Sequence, residues 1–210
     1  KITMSMSGVF LEQAENYQPE VIKALQGLVD AGQERGQIEF LDETYYHSLT
    51  SLFKDPGKRE FRDQVSLHRD KIRRLFGFFP SAFRNTELMY NNNIAAVVAD
   101  MGYRAILCEK RDDMFDNAGA PISPNAVFRS RGSNLVVLPR HRELSDDIAF
   151  RFPHRPLTPE MYASFIARID GEAVILGFDY EHIGEHIWED KGIFAFWRDL
   201  PAALALYPSI

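Results

Sequence analysis

The chain has 210 residues, 45% of them hydrophobic, which is enough for one good core and too few for two comfortable domains. Its 24 basic and 30 acidic residues leave a net charge of −6, and no run of Lys and Arg is long enough to track a phosphate backbone, so nucleic acid is excluded as an expected partner. No stretch is long and apolar enough to span a bilayer, which excludes a membrane role on the same footing.

The chain opens on Lys1 in a strand-like run over residues 1–7 that is too polar for a signal-peptide core. It lacks a start methionine, which points to a segment upstream. Pro19 suits a first helical position, and Val21, Ile22, Leu25, Leu28 and Val29 share one face before Gly32 closes the helix. Gln37–Asp42 reads as a strand with acids at and beyond its end. A second helix is expected from Arg59 to Leu75, with Phe61, Val65, Ile72 and Phe76 on a broad apolar stripe and Gly77 as its stop. Ser81–Arg84 reads as a short strand, Asn91–Met101 as a helix and Arg104–Cys108 as a strand. Cys108, the single cysteine, reads as a small buried hydrophobe; with no intramolecular disulfide possible, a reducing, cytoplasmic setting is expected.

From about residue 110 to 155 five breakers, Pro121, Pro124, Gly132, Pro139 and Pro153, split the pattern into hairpin-like pieces, an irregular excursion within one domain of residues 1–210. Thr158 and Pro159 then start a helix that runs to Ile169. Ala173–Asp179 is the most hydrophobic strand candidate, and from Trp188 onward one or two helices are expected, interrupted at Pro201. Strands alternating with helices predict an α/β fold with a largely parallel sheet or barrel.

Parallel α/β folds gather functional side chains at the carboxyl ends of their strands. Acids recur at those places: Glu39, Asp42 and Glu43, then Glu87, then Asp146 and Asp147, then Asp179 and Glu181. Several carboxylates in one cleft repel, so one of them holds a proton near neutrality. A protonated acid beside an ionised one is what glycoside cleavage needs. The 16 Phe and 8 Tyr suit sugar stacking, and core packing explains them equally well.

Three segments carry a family resemblance: Gln-Ile-Glu-Phe-Leu-Asp-Glu-Thr-Tyr-Tyr-His-Ser from Gln37, Phe-Arg-Asn-Thr-Glu-Leu-Met-Tyr-Asn-Asn from Phe83, and Phe-Asp-Tyr-Glu-His-Ile-Gly-Glu-His from Phe178. Together, and in this order, they resemble signature segments of glycoside hydrolase family 57, α-amylase-like branch. The opening Ser-Gly-Val-Phe-Leu-Glu-Gln and the run from Leu144 are similar to that branch as well. The resemblance implies an incomplete (β/α)7-type barrel and a retaining glycosidase or glucan transferase acting on α-1,4-linked glucans or maltooligosaccharides. It also implies that Glu87 is the nucleophile and Asp179 the general acid/base, with no metal and no cofactor. Two departures stand out. The family's His-Gln-Pro segment on the first barrel strand is absent from these residues, so the barrel is expected to lack that strand, and Asp42 stands where the related motif usually has Gly.

Each candidate has a plainer alternative. Glu87 can cap the helix that starts near Asn91, and Asp179 can be a strand-end turn residue, although a charge directly after Val174–Phe178 is costly without a partner or a role. His47 can bond a substrate hydroxyl, with Tyr46 or Tyr45 as a stacking face, or it can be a satisfied loop histidine. Arg84 can hold Glu87 ionised or lie on the surface. Asp147 can bind sugar hydroxyls or start a helix with Asp146. Glu39 belongs to the acids of its strand end, and Trp188 is a better sugar platform than Trp197, with helix packing the alternative for both.

His182-Ile-Gly-Glu-His186 spells the inverted zinc-protease pattern, but Gly184 weakens the helix that this pattern needs. Glu181, Glu185 and His186 are therefore read as supports of Asp179 or as sugar-hydroxyl ligands, with a solvated turn as the alternative. A metal-dependent polysaccharide deacetylase needs an H-x-x-x-H pair, and His47 is followed by Ser-Leu-Thr-Ser. The other rival is a glucan-binding remnant of the fold without turnover. Oligomeric state is not legible.

Overall fold

Two short parallel strands, β1 (Ile2–Met4) and β2 (Ile38–Phe40), pair in the register Ile2 with Ile38 and Met4 with Phe40. The computed structural model describes residues 1–32, 36–116, 118–155 and 157–208. These fall into two units, Lys1–Glu109 with Phe128–Leu138 and Lys110–Val127 with Pro139–Ile210.

In the first unit, Ser7 caps α1 (Gly8–Tyr17) by accepting the Phe10 amide at 3.2 Å, and α2 (Pro19–Gly32) follows with Pro19 at its start. Gly8 is required by close approach: a Cβ there would meet the Tyr45 ring at 2.4 Å. α3 (Arg59–Phe76) ends on Gly77, whose φ of +80° closes the helix through a bond from its amide to the Arg73 carbonyl. Phe40, fully buried, points from β2 onto Leu11, Ile22, Leu25, Ile72 and Phe76, which is where the three helices share their apolar faces. Arg74 and Lys71 on α3 clamp Glu15 of α1, and the Arg74 guanidinium together with Lys71 holds that carboxyl down to about 2.

The parallel run continues beyond β2, where Asp42 bridges to Phe83 of β3 (Ala82–Arg84). β3 pairs in parallel with β4 (Ala105–Glu109), and α4 (Asn92–Asp100) crosses between them with Asn91 as its cap. The sheet order is β3-β4-β6-β5, with β5 (Phe128–Arg129) antiparallel to β6 (Val136–Arg140). On β4 the side chains of Ile106 and Cys108 alternate inward, and burial pushes the Cys108 thiol up to about 12. That fits the expected small hydrophobe.

Asp42, fully buried just beyond β2, ties that strand end to α3 and to the turn that follows α4. His68 Nδ1 donates to its Oδ1 at 2.8 Å, while Tyr103 and Arg69 donate to its Oδ2 at 2.6 and 3.3 Å. His68 Nε2 donates to the Met6 carbonyl at 2.8 Å. Both ring nitrogens thus face acceptors, and the ring must carry two protons to serve both. Burial disfavours that cation, but the Asp42 bond and charge outweigh it, so the His68 pKa lies above its ordinary value. The acid in place of the related motif's Gly is therefore a buried structural charge.

In the second unit, α5 (Arg142–Asp146) runs into a π-helical turn over Asp147–Arg151, and α6 (Pro159–Ala167) starts on Thr158, whose hydroxyl accepts the Met161 amide at 3.2 Å. Leu144, Ile148, Phe152, Tyr162, Ile187, Ile193, Phe196 and Leu200 form its core. Two expectations are corrected here. Residues 173–179 form no regular strand; among the described residues they make one bridge, Ile175 to Arg140, because Gly177 bonds to side chains: its amide donates to Ser145 Oγ at 3.1 Å and its carbonyl accepts from Arg140 Nε at 2.5 Å. Pro201 does not interrupt the last helix, since α7 (Ile193–Leu204) runs through it with Leu200 and Ala203 both buried and holding the final turn. Among the described residues no helix is long and apolar enough to cross a membrane.

Asp42→Asn should cost about 3–5 kcal/mol, because it strands a buried His68 cation. The sign with pH follows from the raised His68 pKa: its contribution is complete below about 6.5 and is lost as pH rises through the folded value. Chemical denaturation across that window should show the gap between wild type and variant narrowing toward alkaline pH.

Candidate functional site

The loop after β2 and the turn after β3 are joined by small polar side chains. Ser48 donates its amide to Thr44 Oγ1 at 2.8 Å, and its carbonyl accepts Thr86 Oγ1 at 2.8 Å, with the two threonine hydroxyls 3.1 Å apart. Asn85, fully buried, donates its amide to Ser51 Oγ and to the Met89 carbonyl, both at 3.0 Å. These bonds fix a 3₁₀ turn, Thr86–Leu88, directly beyond β3.

On that turn Glu87 has φ +57° and Leu88 φ +53°, and His47 on the facing loop has φ +52°. Side chains on such left-handed backbone cost roughly 1–2 kcal/mol each, so the surrounding bonds must hold them there. The result is a line of three groups. Glu43, its side chain 2% exposed, receives Ser5 Oγ at 2.7 Å and His47 Nδ1 at 2.8 Å; His47 Nε2 lies 3.3 Å from Glu87 Oε1, and the Glu87 side chain is 70% exposed. Burial works against the Glu43 charge, yet the His47 and Ser5 bonds keep its pKa below the ordinary carboxyl value. His47 is raised, first by its bond to Glu43, against some burial, and then by the Glu43 charge and Glu87. Arg84, at the end of β3, exerts its positive field on both Glu43 and His47.

The remaining candidates of this unit lie apart from that line. Glu39 is taken up by Lys1 Nζ at 2.5 Å and Ser81 Oγ at 2.6 Å. Tyr46 is 57% exposed, edge-on to Tyr45, whose hydroxyl bonds Glu12 of α1.

In the second unit Asp179 is exposed and precedes a 3₁₀ turn, Tyr180–His182. Arg140 braces the backbone just before it through Gly177 and is itself paired with Asp146 at 2.6 Å; Phe178 packs tilted against Trp197 with centroids 5.3 Å apart. His182, buried, sits edge-on to Phe150 at 5.0 Å, and its Nδ1 is 3.4 Å from His186 Nδ1, so one ring donates to the other. Burial, then the neighbouring His186, lowers the His182 pKa. The His182–His186 segment is not an α-helix. His186 donates its amide to the Glu181 carbonyl at 2.8 Å, and Glu181, His186 and Trp188 are exposed. Asp147 pairs with Arg151 at 2.6 Å within the π-helical turn. Among the described residues no group of three His, Cys, Asp or Glu side chains is disposed to hold a metal ion.

A family model described as glycosyl hydrolase family 57 matches residues 1–208. The chain belongs to that family. An α-amylase-named protein of Methanocaldococcus jannaschii is 40% identical over 210 residues, which is 98% of this chain and 43% of that protein. The crystal structure of a 4-α-glucanotransferase from Thermococcus litoralis is similar over 95% of this chain and 31% of its own, with a TM-score of 0.71 at 18% identity. A family 57 branching enzyme from Thermococcus kodakaraensis matches over 93% of this chain and 48% of its own, with a TM-score of 0.64 at 14% identity. These likenesses establish the α/β architecture of the family 57 incomplete barrel. The chain spans less than half the length of each of these relatives.

Reading the sequence assigned no part to Glu43 beyond its place among the strand-end acids, and none to Ser5, Thr44, Asn85, Thr86 or Arg140. The signal for Glu43 was its spacing of four residues from His47.

Removing the Asn85 amide should loosen the turn that carries Glu87. Asn85→Ala is expected to lower stability by about 1–3 kcal/mol, because the Met89 carbonyl and Ser51 lose a buried donor; urea unfolding measures it, and an unchanged midpoint would show the turn to be held by other bonds.

Proposed function

We propose that this family 57 chain carries the catalytic carboxylates of a retaining enzyme acting on α-1,4-linked glucans, with Glu87 as nucleophile and Asp179 as general acid/base. The observation that carries this reading is the setting of Glu87: an exposed carboxylate beyond a strand end, on strained backbone, with a histidine aimed at it and a buried acid behind that histidine. Strain of this kind persists where surrounding structure over-determines it, and functional sites are where it gathers.

In double displacement, Asp179 gives its proton to the glycosidic oxygen as Glu87 attacks the anomeric carbon from the opposite side, forming a β-linked glycosyl ester and freeing the leaving sugar. Asp179, now the base, takes a proton from water or from a sugar hydroxyl that attacks the ester, restoring the α configuration and both carboxyl groups. Water gives hydrolysis and a sugar hydroxyl gives transfer. The relatives' names include an α-amylase, a glucanotransferase and a branching enzyme, which supports a common chemistry on α-glucans without separating these outcomes. Tyr46 and Trp188, both exposed, offer apolar faces to sugar rings. Asp147, Glu181, His186 and Glu39 are candidates for sugar hydroxyls, although Asp147 and Glu39 already hold cationic partners. The soluble partner is a maltooligosaccharide or longer glucan, and the reducing compartment suggested by the single buried cysteine is cytoplasmic.

Azide rescue separates the two roles. With α-maltosyl fluoride as substrate, Glu87→Ala should lose turnover by about 10⁴-fold or more and, with azide present, release the β-maltosyl azide, since azide replaces the nucleophile in a single inversion. Asp179→Ala should lower glucan hydrolysis by about 10²–10⁴-fold and yield the α-azide by two inversions. Identical anomers from both variants, or no azide product from either, would contradict the assignment.

A further inference from the structure

Glu43 is nearly inaccessible, lies beside the site and has no part in double displacement as written above. An acid buried to that degree is retained only with partners that offset its desolvation, and its partners are Ser5 and one nitrogen of His47. The other nitrogen of the same ring is directed at Glu87. Carboxylate oxygens accept, and a neutral imidazole has one N–H, so it can serve only one of the two acids; an imidazolium serves both.

We propose that Glu43 is a positioning residue that holds His47 as an imidazolium, and that this cation, rather than a bond to substrate, is His47's function: it aims the Glu87 carboxylate for attack. This deepens the proposed function and rests on Glu87 being the nucleophile. The left-handed backbone at His47 and at Glu87 supports it, since both ends of the 3.3 Å contact are held in a conformation that neither side chain favours alone.

The electrostatic surroundings weigh both ways. Glu43, from the loop after β2, and Glu87, from the turn after β3, favour the cation, whereas Arg84 at the end of β3 opposes it. Glu43 in turn is stabilised as an anion by Ser5, by Arg84 and by His68 of α3. The bond to Glu43 is the largest influence on His47, and the ring's pKa accordingly lies above its ordinary value. A hydroxyl-binding histidine would need one nitrogen free for the sugar, whereas here each faces an acid.

Two measurements test this. The first needs no turnover: nitrogen NMR of histidine-labelled protein, with His47 assigned through its loss in His47→Gln. The ring should titrate above about 6.5 in the wild type and fall by about one unit in Glu43→Gln, with a smaller fall in Glu87→Gln. The second is the pH profile of kcat/KM on α-maltosyl fluoride, whose fluoride departs without a proton from Asp179, so the alkaline limb reports His47. That limb should move to lower pH in Glu43→Gln by the same amount as the NMR value.

A wild-type His47 that titrates at or below its ordinary pKa overturns the proposal, whether or not Glu43→Gln folds. So does an alkaline limb that stays put while the NMR value moves. If His47 titrates as expected but azide rescue gives no β-azide from Glu87→Ala, the nucleophile assignment fails, and with it the catalytic role of the cation. If rescue succeeds and His47 titrates normally, this proposal alone fails.

Discussion

A carboxylate removed from water must find a cation or several donors, and the end of β2 carries two such groups side by side. Asp42 turns toward α3 and is met by His68, Arg69 and Tyr103, while Glu43 turns the other way and is met by Ser5 and His47. Adjacent residues on an extended chain face opposite sides, so one pair of acids braces the strand against its helices and supplies the site on its other face. The two requirements fix the strand end, and through the Thr44–Ser48–Thr86 bonds they fix the neighbouring turn that presents Glu87. Loss of Asp42 would leave the buried His68 without its counter-charge, and loss of Glu43 would do the same to the half-buried His47.

The second unit meets a similar problem by another route. A hydrophobic segment that leads to an exposed acid is held without a regular ladder, by Arg140 and Ser145 on Gly177 and by the tilted Phe178–Trp197 contact. Side-chain anchoring keeps residues 173–178 half-buried while Asp179 reaches solvent. Arg140 is bonded on two sides there, to a backbone carbonyl and to Asp146, which makes it the fixed point of that segment.

Much of the fold was legible wherever local rules and burial agreed. Pro19, Gly77 and Thr158 start or stop helices by their own chemistry, and the apolar faces of α2 and α3 follow helical spacing. Helix α1 escaped notice because its start depends on a Ser7 cap and on a glycine whose reason, the Tyr45 ring, lies far along the chain. The strand expected at residues 173–179 failed because hydrophobicity reports burial and says nothing of where the backbone bonds go, and Pro201 failed as a breaker because buried neighbours on either side override local propensity. For the site, residue types and motif order pointed to Glu87, Asp179 and His47. Their partners were hidden because an acid next to a strand end looks the same in sequence whether it faces a sugar, a lysine as Glu39 does, or a histidine as Glu43 does.

Covalent trapping reaches the proposed chemistry most directly. A 5-fluoro-α-glucosyl fluoride slows breakdown of the glycosyl ester more than its formation, so the sugar stays on the nucleophile, and peptide mapping by mass spectrometry locates it. One fluoroglucosyl group per chain, on the peptide that contains Glu87 and absent from Glu87→Gln, is the result expected here. A label on Glu43, Asp179 or another acid, or steady turnover of the reagent with inverted product and no adduct, would contradict it.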